Sequence, residues 1–254
     1  MRKSTLSNAF YYFVGLIVFF FIWWIISLVI KETTMIFPNP IDTIIETFRI
    51  LKTKYIYQCI FSSLLRMMVG FVISIVIAFI LGIIAGNFPS FKKVLFPTIT
   101  ALKSIPTASL VFLFLVLMGA RKAPILMVIL ISFPIIYESL VGGIEQIDSN
   151  INDAVKVDCK SFIRKVFRIQ IPLSFPYLLV GISSSFGLAF KIEIMAEILT
   201  GDTKSGLGSA INVAQKNDPI NMIPIFSYSL IAIAIVLLIS FLCSFIKKKC
   251  QKYC

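Results

Sequence analysis

The chain has 254 residues, 58% hydrophobic and 14% charged, with a mean hydropathy of +0.96 and a formal net charge of +12. A water-facing domain cannot hide that much apolar surface, so an ordinary soluble protein is excluded. The chain contains no His, and its five cysteines form no tight framework, so a metal site is not expected and the thiols read as structural.

A bilayer core takes about 20 apolar residues per helix. Uncharged runs of that length cover residues 10–30, 67–91, 169–190 and 219–246. Two more spans carry one charge each: 94–120 with Lys103, and 123–144 with Glu138. Nothing shows the strict alternation of a barrel strand. The expected fold is therefore all-α, a polytopic membrane protein with about six transmembrane helices. The first run is too long for a signal-peptide core, and no small-x-small site follows it, so it is expected to be a retained helix.

After the first run, Phe37-Pro38-Asn39-Pro40-Ile41-Asp42 stops one helix and starts another. Ile41, Ile44, Ile45, Phe48, Leu51 and Tyr55 then keep helical spacing, which predicts an amphipathic helix on the membrane surface. The second span carries small residues four apart at Ala78, Gly82 and Gly86, a pattern that lets helix backbones approach in lipid. The third is interrupted at Ile105-Pro106, and the fourth contains Pro134. The fifth repeats the small-residue stripe at Gly181, Ser185 and Ala189. It leads into a turn from Gly201 to Gly208 that imitates a phosphate loop. The Lys and Ser/Thr that such a loop needs after its second glycine are missing, so ATP binding by this chain is not predicted.

With the N-terminus placed in the cytoplasm, the inner segments hold the larger share of Lys and Arg, including Lys92, Lys93 and Lys247 to Lys249. That bias puts both termini inside. The positive charge then reflects topology and attraction to anionic lipid, not nucleic acid.

Between the fourth and fifth spans lies "NDAVKVDCKSFIRKVFRIQIP", residues 152–172. Val155, Cys159, Phe162, Ile163 and Val166 share one helical face, while Lys156, Lys160, Arg164 and Arg168 recur every four residues on another. Asn152 suits a cap, Asp153 suits a helix N-terminus, and Pro172 is expected to end the segment. Two readings remain open on periodicity: a helix resting on lipid headgroups, or a docking element for a cytosolic partner.

This stretch resembles the cytoplasmic "EAA" loop of ATP-binding-cassette importer permeases, in which Glu-Ala-Ala is followed by three residues, Gly, and later Leu-Pro. Here it reads Asp153-Ala154-Val155, three residues, Cys159, then Ile171-Pro172. "FPNPIDTI" and the run from Ser63 to Leu113 are similar to segments of the same family, and "AEILTGDTKSGLGSAI" resembles its nitrate, sulfonate and taurine subgroup (which includes thiamine-precursor permeases), all in the same order. The resemblance covers roughly residues 38–246 and implies one permease domain over 1–254. The cytoplasmic tails would be 1–9 and 247–254, and the coupling loop 145–171. It implies two cytosolic ATPase subunits that carry ATP and Mg, an external solute-binding protein and a second copy of this chain, in a bacterial cytoplasmic membrane. No cofactor is expected on this chain. Asp153, Ala154, Val155, Lys156, Cys159, Lys160, Phe162, Arg164 and Pro172 are the implied coupling residues. Two departures stand out: Asp for Glu shortens the reach, and Cys159 replaces a glycine that permits positive φ.

Charges inside the bilayer are costly and need a reason. Lys103 lies about 14 Å along a helix from residue 94, just before the break at Pro106. It is a candidate for the translocation pathway, with snorkelling toward the interface as the alternative. Lys191, Glu193 and Glu197 fall late in the fifth span, near an outer mouth. The two acids share a face and repel unless paired with Lys191 or with a second subunit. Taken as gate residues, they favour a cationic or neutral solute. A stand-alone secondary transporter and a membrane-embedded lipid-modifying enzyme are the other function classes. The first lacks convincing internal repeats, and the second lacks clustered acid–base residues.

Overall fold

The computed structural model describes residues 3–29, 37–148, 151, 161–201 and 205–250. Among these residues the chain is helical, with no strand. The helices are α1 (Lys3–Val29), α2 (Pro40–Leu51), α3 (Lys54–Asn87), α4 (Pro89–Ser104), α5 (Thr107–Met118), α6 (Ala123–Glu145), α7 (Phe162–Thr200), α8 (Leu207–Asn217) and α9 (Ile223–Cys250). Four of them, α3, α6, α7 and α9, are long and apolar enough to cross a membrane. The pair α4 and α5 passes the same test together, and the apolar part of α1, Ile17–Val29, is shorter.

The residues fall into two compact units, 1–58 with 210–233 and 59–209 with 234–254. In the first, Trp23 anchors the turn into α2. Its indole Nε1 donates to Pro38 O at 3.1 Å, and its ring lies 5.9 Å from Phe226. Helix α2 starts as its sequence dictates. Asn39 accepts from the Ile41 amide at 3.1 Å, Pro40 takes the first helical position, and Asp42 sits in the first turn. Ile41, Ile45 and Phe48 form an exposed apolar face, while Thr43 and Ile50 are buried. Tyr55 belongs to α3, because Lys52 caps α2 with αR backbone and Lys54 opens the next helix.

In the second unit α6 and α7 are the most intimately packed pair. A Cβ on Gly181 would lie 2.6 Å from Ser139 Cβ and 3.3 Å from Ile136 Cα, so this small residue of α7 sets the approach to α6. The stripe on α3 does the same on another side of α6: a Cβ on Gly82 would meet Leu140 at 2.8 Å, and one on Gly86 would meet Ile144 at 2.8 Å. Leu110 and Val111 of α5, Met127 of α6, and Ile192 and Ala196 of α7 close a core where three helices meet.

The interruption expected at Ile105-Pro106 in the third span is present, and it is sharp: α4 and α5 meet at 97°. The break falls at Ile105 (φ −70°, ψ 131°) and Pro106 (φ −58°, ψ 122°). The residue before a proline is pushed out of the α region, and here the chain turns a corner rather than kinking. Helix α4 starts at Pro89, so Lys103 lies in its last turn. One expectation is corrected: Pro172 does not end the preceding segment. Helix α7 runs through it by way of one widened turn, Val166–Gln170, in which the Ile171 amide reaches Val166 O. Proline has no N–H to give to the carbonyl one turn back, and the π turn absorbs that missing bond.

Candidate functional site

Arg66, on α3, is the centre of a buried charge cluster. Its Nε donates to Glu193 Oε1 at 3.2 Å, its Nη2 pairs with Glu197 Oε1, and the same nitrogen donates to Ser205 O at 2.8 Å. Both carboxylates are fully buried, and the Arg66 side chain is 15% exposed. Ser63, one turn before Arg66, donates to Glu197 at 2.7 Å and accepts from the Leu207 amide at 2.9 Å. The Gly208 amide donates to Glu197 Oε2 at 2.8 Å, and the Ser62 and Ser205 hydroxyls lie 2.9 Å apart. The first amides of α8 thus point at a carboxylate and a hydroxyl, the groups a helix N-terminus favours. Gly206 and Gly208 leave room for this: a Cβ on either would come within 2.5 Å of a Glu197 atom.

This geometry alters the reading of the late charges. Glu193 and Glu197 do share a face, but their counter-ion is Arg66, neither Lys191 nor a second subunit. Lys191 is exposed on the same helix, with no ion pair among the described residues. Both acids are out of solvent and paired with Arg66, and Glu193 Oε2 is left without a hydrogen-bond partner. Arg66 itself is visible in the sequence as a charge at the edge of an apolar run. Its spacing from Ser63 puts both on one helix face, but nothing local names acids well over a hundred residues away.

A second set of charges joins α4 to α6. Lys103 Nζ donates to both Glu138 oxygens at 2.9 Å, so the two charges that stand alone in their spans are partners. Both side chains are about half exposed, at 49% and 48%. Lys92 Nζ reaches Glu145 Oε1 at 2.6 Å on the same pair of helices. A cavity of about 190 Å³ lies between α4 and α6, lined by Lys92, Phe96, Tyr137, Glu138, Val141 and Glu145, among others. Tyr137 is 4% exposed, and its hydroxyl has no hydrogen-bond partner. Pro106 stands at the break just beyond Lys103, as the first residue before α5.

Of the coupling residues, Asp153, Ala154, Val155, Lys156, Cys159 and Lys160 lie outside the described residues. Phe162, Arg164 and Pro172 are described. Phe162 and Ile163 are exposed, at 48% and 68%, and Arg164 beside them is exposed too. Val166 turns inward. The Phe162 ring lies 5.9 Å from Phe88. Gln170, buried in the π turn, exchanges two 2.8 Å hydrogen bonds with Asn87 at the end of α3. This end of α7 is therefore tied to α3 and leaves an apolar edge beside a cation uncovered.

Comparison with known proteins gives these features a family. Residues 74–250 match the profile of the binding-protein-dependent transport system inner membrane component. A probable ABC transporter permease from Brucella melitensis is 26% identical over 71% of this chain and 73% of its own length. A putative aliphatic sulfonates transport permease from Bacillus subtilis is 24% identical over 80% and 73%. A nitrate import permease from Synechococcus elongatus is 26% identical over 82% and 77%. Among solved structures, an amino acid ABC transporter chain superposes with a TM-score of 0.66 at 15% identity, covering 79% of this chain and 96% of that one. The continuous apolar helices, the broken pair α4–α5 and the match over 74–250 agree. The chain belongs to the family of binding-protein-dependent transport system inner membrane components and is a permease component of an ATP-binding-cassette importer.

Proposed function

We propose that residues 145–171 form the cytoplasmic coupling loop of this permease and that α7 carries the stroke. The carrying observation is that one continuous helix of 39 residues joins the uncovered edge at Phe162, Ile163 and Arg164 to the buried cluster at Glu193 and Glu197. At 1.5 Å per residue it is about 58 Å long, and a rigid rod of that length transmits a push at one end to the other. An apolar edge flanked by cations suits a groove in a protein partner. The partner is a cytosolic ATPase subunit, present twice in an assembly with two permease copies, and ATP and Mg bind there. A solute-binding protein docks on the opposite face. Both termini of the permease are cytoplasmic, on the positive-inside balance of the loops. The solute is a small organic or inorganic one, within the range suggested by the aliphatic sulfonates, nitrate and betaines named for relatives.

Reconstitution with the partner subunits tests the coupling. Lys160→Glu combined with Arg164→Glu is expected to leave the chain inserted and abolish solute-stimulated ATP hydrolysis. Unchanged stimulation in the double variant would rule the docking role out.

A further inference from the structure

Two carboxylates and one guanidinium do not cancel, and the cluster around Arg66 holds just those groups. We propose that it is a proton-binding site, with one proton held at Glu193 Oε2 whenever α3, α7 and the start of α8 are packed as they are here. Glu193 and Glu197 are fully buried, and the Arg66 side chain is 15% exposed. Left ionised, the group would keep a net negative charge out of solvent, which is costly. Two carboxylates that share one buried site relieve that cost by keeping a proton between them.

The contacts decide which acid is neutral. Glu197 accepts from Ser63 Oγ at 2.7 Å, from the Gly208 amide at 2.8 Å and from Arg66 Nη2. Donors of that kind favour the charged form. Glu193 accepts one bond, from Arg66 Nε to Oε1, and its buried Oε2 has no partner among the described residues. Glu193 also stands within hydrogen-bonding reach of Glu197. Two carboxylates both accept, so that reach becomes a bond only when one of them carries a hydrogen. Among the described residues no further cation faces Glu193. Helices α5 and α6 meet this part of α7 with Leu110, Val111 and Met127, and Lys191 is exposed. The first amides of α8, at Leu207 and Gly208, go to Ser63 and Glu197. Parting α3 from α7 would let water reach both acids, and the proton would leave. Closing these helices and taking up a proton are one event.

Infrared spectra of the full chain, in a maltoside detergent free of esters, test this. A protonated carboxyl has a carbonyl stretch apart from the carboxylate bands, and the stretch shifts in deuterium oxide. Near neutral pH the wild type is expected to show one such band. Glu193→Gln, which copies the shape of the neutral acid, should lack it. Glu197→Gln should lack it as well, because one carboxylate then faces one guanidinium and Glu193 ionises. Denaturant titration gives a second reading. The unfolded chain releases the proton, so wild-type stability should fall as pH rises from about 6 to about 7.5, by up to about tenfold in the folding constant per pH unit. The chain has no His, so no other side chain of ordinary titration falls in that window. Glu193→Gln should flatten the slope. The proposal is overturned if the wild type has no protonated-carboxyl band near neutral pH, or if the band survives in either variant. It is also overturned if the slope is the same in the wild type and in Glu193→Gln. Each of those outcomes leaves the permease assignment standing.

Discussion

Glu193 and Glu197 lie one helical turn apart, and two carboxylates at that spacing destabilise a helix unless something stands between them. Arg66 does so, reaching one acid with Nε and the other with Nη2. Removing it leaves two buried carboxylates without a cation, and breaking a buried pair in this way costs about 3–5 kcal/mol. Arg66→Met is therefore expected to lower unfolding stability by that order, measured by denaturant titration in detergent, and to free the chain at Ser205. Ser63→Ala should cost less, about 1–3 kcal/mol, because it removes a neutral donor from Glu197 and an acceptor from the Leu207 amide. At this scale the sequence is partly legible. The shared face of Glu193 and Glu197 follows from their spacing. Their partner does not, since a guanidinium on α3 becomes their neighbour only through tertiary packing.

Helix α7 offers an internal comparison between two of its glycines. A Cβ at Gly181 would press on Ser139 and on the backbone at Ile136, whereas one at Gly187 would make ordinary contacts, 3.7 Å from Val236 and 3.8 Å from Ser240. Gly181→Ala is expected to force α6 and α7 apart and cost about 1–3 kcal/mol. Gly187→Ala should be neutral or stabilising by up to about 1 kcal/mol, through helix propensity. Thermal unfolding of the two variants side by side checks the contrast. Elements are the most legible level. Apolar run length locates α3, α6, α7 and α9, and the four-residue stripes mark the faces that meet. Proline is where local reading fails. Ile105-Pro106 reads as an interruption within one span and is a corner, and Pro172 reads as a stop and is passed through. A proline removes one donor and fixes one φ, but whether the chain bends, widens or ends depends on neighbours that a local reading does not see.

On the scale of the whole molecule, the family assignment makes this chain one part of a machine. A tagged chain purified in mild detergent from its native host is expected to bring an ATPase subunit with it. Its absence at low salt, with the detergent varied, would count against the assembly proposed here. The transport class is legible from the order of several moderately specific segments, each weak alone. The solute is not, because even the charges that stand alone in their spans find their partners only through tertiary packing: Lys103 and Glu138 are 35 positions apart in the chain.

The corner between α4 and α5 has a further consequence, for water. The Ile105 amide closes the last bond of α4 on Ala101 O, Pro106 has no N–H to give, and α5 begins afresh at Thr107. Hydrocarbon offers unpaired carbonyl oxygens nothing, so irregular backbone at this depth persists only against protein or beside an aqueous pocket. Ser104, Ile105 and Pro106 are exposed at the bend, so water is expected to serve these oxygens there. Amides at the start of α5 should then exchange with deuterium faster than those at the middle of α6.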